Sequence, residues 1–305
     1  MVFYSMPDDK RNRRGRPGGI SSLKSLLPPP AKHLGQHFLT DPHIAERIVD
    51  ALDPCLLPSV PVLEIGPGRM ILTRILAKRV SRLILLEKDE RLLPSLTEAF
   101  GLPGQRSQVE ILIGDALTAP FDRWDFPYLV ISNLPYNISV PLLMKILMAP
   151  NPPRQAVLMF QKEVGQRITA SVGTKDYGSL TVAVSLLSHA APLFSIRPGS
   201  FHPPPKIHSM VLSFTPRKDR EDLAFSGAIY LSRSAFGYRR KTLRNAFSLG
   251  LAPPFLEFAL KILEAEPKLG LVRPEQIPPE KWVDLAKRMI EHSPSIFDNI
   301  KELTV

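Results

Sequence analysis

The chain has 305 residues, 44% of them hydrophobic, so it can bury a sizeable core as one large domain or two unequal ones. A formal net charge of +10 favours a polyanionic partner such as nucleic acid, although solubility alone explains the charge equally well. The single cysteine, Cys55, excludes an internal disulfide and a multi-cysteine metal site, and no apolar run approaches the roughly 20 residues that span a bilayer.

Residues 1–30 are predicted to form a disordered basic tail. Four arginines lie among glycines in this segment and three consecutive prolines follow, so nothing there can bury a core. Two interpretations stay open, a passive extension and a segment that holds RNA phosphates. The first residues lack the apolar centre of a secretory signal, and two early aspartates disfavour a transit peptide, so we expect a cytoplasmic protein.

Short apolar runs alternate with helical patterns from Val62 onward. The predicted strands are VLEI (62–65), LILLE (83–87), VEILIGD (109–115), YLVIS (128–132) and QAVLMF (155–160), and helical patterns cover ILTRILAKRV (71–80) and a stretch through Leu96. This rhythm predicts a parallel α/β sheet with buried strands. Ligands bind at the carboxyl ends of the strands in such sheets.

Only helical patterns follow Pro216, over residues 222–249, 255–264 and 279–292. We therefore predict an α/β fold with a Rossmann-like parallel sheet, followed by a smaller C-terminal helical domain. The expected domains are residues 31–217 and residues 218–305.

The first predicted strand runs directly into Gly66-Pro67-Gly68, a turn that a ligand can approach closely. Glu87 ends the next strand about 20 residues later, where a dinucleotide-type site places the acid that binds ribose hydroxyls. Asp115 follows the third strand, and its carboxylate can accept from an adenine amino group. Each feature alone also fits an ordinary turn or strand end, but together they are the pattern of class I methyltransferases, which bind S-adenosylmethionine.

The fourth strand leads into the string NLPY, residues 133–136, whose residue types suit methylation of an amino group on a planar base. The lone pair of adenine N6 is delocalised into the ring, so it attacks poorly until both amino hydrogens are accepted. We expect the Asn133 side-chain carbonyl and the Leu134 main-chain carbonyl to accept them. Pro135 fixes the turn, and Tyr136 offers a face for an extruded adenine. In isolation, such a string is more often a buried asparagine before a turn.

Seven motifs of the chain resemble, in the same order, those of the ribosomal RNA small-subunit adenine N6,N6-dimethyltransferases. They are KHLGQHFLTD (32–41), LEIGPG (63–68), GDAL (114–117), NLPYN (133–137), QKEV (161–164), FHPPPKIHS (201–209) and RRKTLRNA (239–246). The resemblance extends from Lys32 to about Ala246. It implies a methyltransferase that uses S-adenosylmethionine to dimethylate adjacent adenines near the 3′ end of small-subunit rRNA, with a role in small-subunit biogenesis.

The resemblance also implies roles for single residues in the cofactor site. His37 and Leu39 would help to hold the cofactor, with Gly66 under its methionine part and Gly68 in the same turn. Glu87 would then bind the ribose, Asp115 would lie near the adenine and Asn133 beside the cofactor. Phe201 would contact the opposite face of the target base, although a core phenylalanine explains that residue equally well.

Three positions depart from the family pattern. The family usually has a glycine at Met70, where a side chain is expected to crowd the cofactor pocket or to alter helix packing on the sheet. It often has asparagine at His37, and both residues form hydrogen bonds. It more often has an acid at His208, from which we infer nothing.

Basic residues after the catalytic motifs are candidate contacts to RNA. Arg239, Arg240, Lys241 and Arg244 cluster in the RRKTLRNA segment, and Lys162 follows the fifth strand. A solvated helix face is the other explanation of such a cluster. His33, His37 and His43 lack a clustered acid or cysteine, so we predict no metal site. Small-subunit rRNA or its precursor subunit is the expected partner, and a monomer the expected state.

Two other functions stay open at this stage. A large-subunit rRNA adenine methyltransferase would share the cofactor motifs and a similar catalytic loop. An RNA-binding assembly or transcription factor that has lost methylation would keep the fold, and Met70 is the feature that supports it. An oxidoreductase explains Gly66 and Glu87 but leaves Asp115 and NLPY unused.

Overall fold

The computed structural model describes residues 2–3, 27–31, 35–100, 108–120, 124–219 and 223–297. Most of the tail predicted for residues 1–30 therefore lies outside the described residues. Within that segment, Val2–Phe3 forms a short strand, β1, paired antiparallel with the sheet.

Within the described residues, eight strands form one sheet, and all five strands predicted from the sequence are confirmed as members. The strands are β1 (Val2–Phe3), β3 (Val62–Ile65), β4 (Arg82–Glu87), β5 (Gln108–Ile113), β6 (Leu129–Asn133), β7 (Gln155–Gln161), β8 (Ser188–Ile196) and β10 (Ser209–Pro216), in the spatial order β1-β5-β4-β3-β6-β7-β10-β8. The neighbours from β5 to β7 are parallel. The predicted α/β class is thereby confirmed.

The order of the strands reverses at β3, which lies between β4 and β6. Ile65 is in register with Leu86 of β4 and Ser132 of β6. Glu87 and Asn133 each come one residue later, so both lie just beyond the carboxyl end of the central strand. This reversal is the topological switch point, at which open α/β sheets place their ligands.

Two strands at one side of the sheet, β8 and β10, were not predicted. β10 pairs antiparallel with β7, from Ser209 opposite Gln161 to Phe214 opposite Ala156. A separate two-stranded ladder joins β2 (Phe38–Leu39) to β9 (Phe201–His202). This small ladder links the KHLGQHFLTD and FHPPPKIHS motifs, which lie far apart in the sequence.

Helices connect the strands, and the helix predicted at residues 71–80 is observed. The helices before β8 are α1 (Pro42–Val49), α2 (Ile71–Arg79), α3 (Leu93–Phe100), α4 (Ser139–Met148), α5 (Lys162–Ile168) and α6 (Ser179–Leu187). Asp41 caps the start of α1, and its side chain accepts hydrogen bonds from the main-chain N–H groups of His43 and Ile44. This cap fixes the chain just after the KHLGQHFLTD motif.

The C-terminal region is helical, as predicted. Its helices are α7 (Leu223–Phe236), α8 (Leu243–Gly250), α9 (Pro253–Ala265), α10 (Pro267–Leu271) and α11 (Pro279–His292). The helical pattern at residues 222–249 is thus two helices, because the chain turns between Gly237 and Thr242. None of the helices in the described residues is long and apolar enough to cross a membrane.

The chain divides into two compact units. The first is Met1–Lys162 with Pro192–Phe214, and the second is Glu163–Ala191 with Thr215–Val305. The domain boundary expected between residues 217 and 218 stays a prediction. In the second unit, the Tyr177 hydroxyl and the Trp282 indole both donate to the main-chain oxygen of Ile277, and both side chains are buried.

Candidate active site

The turn after β3 depends on glycine at both predicted positions. Gly66 and Gly68 have φ values of +69° and +52°, in the left-handed region that side chains disfavour. A Cβ at Gly68 would also lie 2.9 Å from the Phe38 ring, whereas a Cβ at Gly66 would meet nothing within 4 Å. Gly66 therefore faces open space, and Gly68 also makes room for an aromatic side chain.

Met70 has a left-handed backbone too, with φ +65°, and it precedes α2 without a side-chain cap. The family glycine at this position is thus explained by backbone conformation. The Met70 side chain is fully buried in the hydrophobic core rather than lining the cavity described below. In this structure the substitution fills the core and leaves the cavity open.

Glu87 is buried and is held by three main-chain N–H groups. Its Oε1 accepts from Lys88 at 2.9 Å and from Asp89 at 2.8 Å, and its Oε2 accepts from Gly68 at 3.2 Å. Burial raises the pKa of the Glu87 carboxyl, and hydrogen bonds from Asp89, Gly68 and Lys88 oppose that rise. The carboxylate thus fixes the glycine turn while an oxygen lone pair is left for a ligand hydroxyl.

Asp115 follows β5, where Oδ1 accepts from the main-chain N–H of Leu117 at 2.9 Å. Its Oδ2 is 2.7 Å from the Lys88 ammonium. The hydrogen bond from Lys88, and then that from Leu117, lowers the pKa of the Asp115 carboxyl. Asp115 is therefore a hydrogen-bond acceptor at neutral pH.

Glu64 is a buried acid that the sequence interpretation missed. Burial raises its pKa to about 8, and the neighbouring Glu87 adds to the rise. Its Oε2 has no hydrogen-bond partner among the described residues, and the residue lines the same cavity as Glu87. The signal was present in the sequence, because a charged residue stood inside the otherwise apolar strand VLEI.

One cavity brings the predicted cofactor residues together at the switch point. Its lining includes His37, Leu39, Gly66, Gly68, Glu87, Asp115, Asn133, Leu134, Pro135 and Tyr136. These residues come from the ends of β3 to β6 and from the segment around β2. The cavity thus combines a glycine turn, two acids and the NLPY string.

Asn133 is oriented by a hydrogen bond from its Nδ2 to the main-chain oxygen of His37, at 3.0 Å. This bond leaves the side-chain carbonyl for another donor. Leu134 is buried, and Pro135 has φ −57° and ψ 128°, which ends the strand and starts the turn at Tyr136. Two carbonyl groups are thereby held on a short, rigid segment.

Tyr136 is fixed at its hydroxyl and at its ring. The hydroxyl lies 2.7 Å from the Oγ of Ser209, and the ring stacks on His37 with centroids 5.8 Å apart and an interplanar angle of 27°. Burial raises the pKa of the Tyr136 hydroxyl, and the hydrogen bond with Ser209 opposes that rise. The sequence interpretation gave Ser209 no role, since it lies 73 residues from Tyr136.

Phe201 lies in the β2–β9 ladder rather than in the lining of the cavity. It pairs with Leu39 in the β2–β9 ladder and is 4% exposed, packed in the core and absent from the cavity lining. This placement matches the core phenylalanine considered as the alternative. Its contact with a target base stays a prediction.

The basic residues near α8 differ in their surroundings. The Arg239 Nε lies 2.5 Å from Glu275 Oε2, and its Nη2 donates to the main-chain oxygen of Thr174 at 2.9 Å. Its Nη1 donates to the main-chain oxygen of Lys175. By contrast, three of the predicted RNA contacts are exposed: Arg240, Lys241 and Arg244. Arg239 therefore connects separate segments within the second unit. Its contact to RNA stays a prediction.

Lys162 begins α5 directly after β7 and is half-buried, with its main-chain N–H donating to the main-chain oxygen of His208 at 2.9 Å. Its contact to RNA also stays a prediction. Among the described residues, no group of three or more histidine, cysteine or acidic side chains is placed to bind an ion. His33 lies outside the described residues.

Comparison with known proteins identifies the family. The profile described as ribosomal RNA adenine dimethylase matches residues 31–285. The chain belongs to the ribosomal RNA adenine dimethylase family. This match confirms the family resemblance seen in the sequence, and the related crystal structures reported next confirm the fold class.

Individual dimethylases and related enzymes agree with the family assignment. A protein of Geobacter metallireducens named ribosomal RNA small subunit methyltransferase A is 42% identical over 251 residues, which cover 77% of this chain and 88% of that protein. The crystal structure of a dimethyladenosine transferase from Plasmodium falciparum has a TM-score of 0.71 at 28% identity, covering 82% of this chain and 96% of that one. The 23S rRNA methyltransferase ErmE has a TM-score of 0.61 at 27% identity, covering 83% and 99%.

This dimethylase is a methyltransferase, and its cofactor is S-adenosylmethionine. The cavity fits that molecule on structural grounds. Gly66 leaves open space beside the main chain, and the buried Glu64 presents a carboxyl oxygen that lacks a partner among the described residues. Glu87 and Asp115 add acceptors at neighbouring strand ends, as hydroxyl and amino groups of an adenosine require.

Proposed function

We propose that this protein dimethylates N6 of adjacent adenines near the 3′ end of small-subunit rRNA and thereby acts in small-subunit biogenesis. The observation that carries the proposal is the orientation of Asn133, whose amide N–H is used by His37 so that its carbonyl is left for the substrate. Asn133 lines the same cavity as Gly66 and Glu87.

The residues of the chain have separate tasks in this reaction. Asn133 Oδ1 and the main-chain oxygen of Leu134 accept the two hydrogens of the target amino group, which favours a geometry nearer to tetrahedral. Tyr136 holds the extruded adenine by stacking. S-adenosylmethionine, when bound, supplies an activated methyl group on a sulfonium. No strong general base is required, so positioning supplies most of the rate.

Residues around the cavity would hold the cofactor by contacts that match its parts. We assign the ribose hydroxyls to Glu87, the adenine amino group to Asp115 and the methionine part to the turn at Gly66 and Gly68. The main chain at His37, together with Leu39, would close the site. These assignments are supported by the cavity lining and by the acceptors described above.

The choice of small-subunit rRNA is supported by relatives such as the Geobacter protein, whose name specifies the small subunit. Exposed Arg240, Lys241 and Arg244 would contact its phosphates, with Lys162 as a further contact. We assign catalysis to residues 31–217 and RNA contact to residues 218–305. A monomer in the cytoplasm is the state consistent with this substrate.

Incubating the protein with purified small and large subunits that lack adenine dimethylation tests the proposal. We expect labelled methyl groups to enter small-subunit rRNA, and mass spectrometry of its 3′ end to show dimethyladenosine. Label in the large subunit alone would instead favour the activity named for ErmE. Calorimetry with S-adenosylhomocysteine addresses the non-catalytic alternative, since the absence of detectable binding would favour a scaffold that has lost methylation.

Asn133→Ala should lower turnover by at least about 100-fold, the typical effect of removing one group that stabilises the transition state. Asn151→Ala is the matched control, because Asn151 donates to the main-chain oxygens of Trp124 and Phe126 rather than into the cavity. It should keep turnover at temperatures at which it stays folded. Unchanged turnover in a folded Asn133→Ala protein would refute the mechanism.

A further inference from the structure

The Tyr136 ring is held from two directions by residues of other motifs. Ser209, the last residue of the FHPPPKIHS motif, is buried, and its Oγ lies 2.7 Å from the Tyr136 hydroxyl. This contact fixes the far end of the side chain, because a hydroxyl pair at this distance has a strong directional preference. The ring therefore has little freedom to swing about its Cβ.

His37 supports one face of the same ring. Its imidazole stacks on Tyr136, and its Nδ1 lies 2.7 Å from the main-chain oxygen of Pro203. A carbonyl only accepts, so Nδ1 carries the proton and donates it. The imidazole is thereby tied to the FHPPPKIHS loop, while Tyr136 itself lines the cavity.

The same loop is anchored to the segment around His37 by main-chain hydrogen bonds. Phe38 and Leu39 pair with His202 and Phe201, and the Thr40 N–H donates to the oxygen of Ser200 at 2.9 Å. Supports of Tyr136 thus come from two segments that are themselves joined by a ladder. Movement of either support would have to break main-chain hydrogen bonds.

We propose that the His37 imidazole and the Ser209 hydroxyl are positioning residues that lock the plane of Tyr136, so that the target adenine stacks on a preset face. This inference rests on the proposed function, in which Tyr136 stacks on the base. It gives His37 a side-chain role toward the base, in addition to the cofactor contact that the resemblance implied. Because the Tyr136 ring is already held in place, little side-chain conformational entropy is lost when the base binds.

The first test measures three quantities for Ser209→Ala, Tyr136→Phe and the double variant: affinity for S-adenosylhomocysteine, kcat and KM with the small subunit. Each single variant should lower kcat/KM by about 3- to 10-fold, the effect expected of one hydrogen bond. Affinity for S-adenosylhomocysteine should stay within about twofold, since neither hydroxyl is assigned to the cofactor. The double variant should be no worse than either single one, because both remove the same contact.

The second test separates the two functions of His37. His37→Asn keeps a side-chain donor for Pro203 but removes the ring, and His37→Ala removes both. Neither changes the main-chain oxygen that orients Asn133. We expect kcat/KM to fall in both variants, more in His37→Ala, with affinity for S-adenosylhomocysteine within about twofold of the wild type.

A fluorescent probe reports stacking without turnover. With 2-aminopurine in place of the target adenine, the wild-type complex should be quenched by Tyr136, and both His37→Ala and Ser209→Ala should be brighter. If either His37 variant loses cofactor affinity while the probe is unchanged, the imidazole serves the cofactor and the lock is refuted. The lock is also refuted if Tyr136→Ala abolishes turnover whereas the His37 and Ser209 variants behave as wild type.

A third result would instead remove the basis of the inference. If Tyr136→Ala itself retains turnover and probe quenching, no stacking platform exists, and the proposed function fails at that step. Circular dichroism of each variant confirms that the protein is folded before kinetics are compared. Failure of the lock and failure of the proposed function therefore give different patterns.

Discussion

Met70 combines a strained backbone conformation with a buried side chain. Its left-handed backbone would suit glycine, yet the side chain is fully buried within the core cluster that also contains Leu72 and Leu76. Packing therefore offsets a backbone strain of about 1–2 kcal/mol. The non-catalytic alternative drew its support from Met70, and this placement weakens that support.

Replacing Met70 by alanine or glycine tests this balance. Met70→Ala loses a buried side chain, which costs about 2–5 kcal/mol, and keeps the strain. Met70→Gly relieves the strain, so we expect it to be the more stable of the two by about 1 kcal/mol in urea unfolding. Leu76 in the middle of α2 is the control, where glycine should be worse than alanine by about 1 kcal/mol. The same order at both positions would contradict strain at Met70.

Glu64 makes stability depend on pH in a direction unusual for a carboxylate. Burial raises its pKa from the usual 4.5 to about 8, so the folded protein retains a proton that the unfolded chain releases. The stabilisation linked to this proton is complete below pH 4.5 and is lost as the pH rises through about 8. Ionised Glu64 would also lie beside ionised Glu87, which adds to the loss.

Glu64→Gln should therefore gain stability relative to the wild type as the pH rises. Glutamine is neutral throughout, so the difference in the free energy of unfolding should move in its favour between about pH 5 and pH 8 in urea titrations. The control is Glu257→Gln, since Lys261 lowers the pKa of the exposed Glu257 and keeps it ionised over that interval. A pH-independent difference for Glu64→Gln would show that the buried carboxyl is not protonated.

At the scale of elements, strand ends gave the most reliable sequence predictions. Gly66, Glu87, Asp115 and Asn133 each follow an apolar run, so their convergence followed from the parallel sheet alone. The partners of Tyr136 and His37 could not be predicted in this way, because Ser209 and Pro203 lie 73 and 166 residues away. Local patterns carry no information about such pairs.

Two features of the fold, β8 and the break in a helical pattern, escaped the sequence patterns for different physical reasons. β8 is largely exposed along its length and contains Pro192, so it lacks the buried apolar run of a central strand. The helical pattern at residues 222–249 is interrupted at Gly237, where turns follow until Thr242. The apolar residues before and after this break both follow the spacing of a helix, so the sequence pattern predicted one continuous helical stretch.

The segment between α7 and α8 carries adjacent arginines with different tasks. Arg239 bonds to Glu275 and to the main-chain oxygens of Thr174 and Lys175, whereas Arg240 is exposed. A guanidinium reaches three acceptors in one plane, and an ammonium cannot. Arg239 thus joins the loop before α6 to the segment before α11.

We expect Arg239→Lys to lower the free energy of unfolding by about 1–3 kcal/mol, as for lost hydrogen bonds to a charged group. Arg240→Lys should change it by no more than about 0.5 kcal/mol, since the side chain is exposed. Thermal unfolding compares the two variants directly. Equal stability of both would show that the contacts of Arg239 contribute nothing, and the residue would then be a candidate for RNA contact alone.

At the scale of the whole molecule, the net charge of +10 attracts RNA in general, but the site of contact decides how salt acts on binding. Each phosphate contact contributes about 0.7–0.9 to the slope of log K against log salt. Charges that attract the RNA only from a distance, without contacting a phosphate, contribute little to that slope. Charge and contact can therefore be separated by variants that remove equal charge from different places.

Two triple variants to glutamine make this comparison, one at Arg240, Lys241 and Arg244 and one at the exposed Arg74, Lys261 and Lys287. The first should flatten the slope for rRNA binding by about 2–3, because it removes contacts and their released counterions. The second removes equal charge and should change the slope by less than about 1. Filter binding between about 50 and 200 mM salt measures both. Equal slopes would mean that the α8 cluster is only a solvated face, and that the rRNA is held elsewhere.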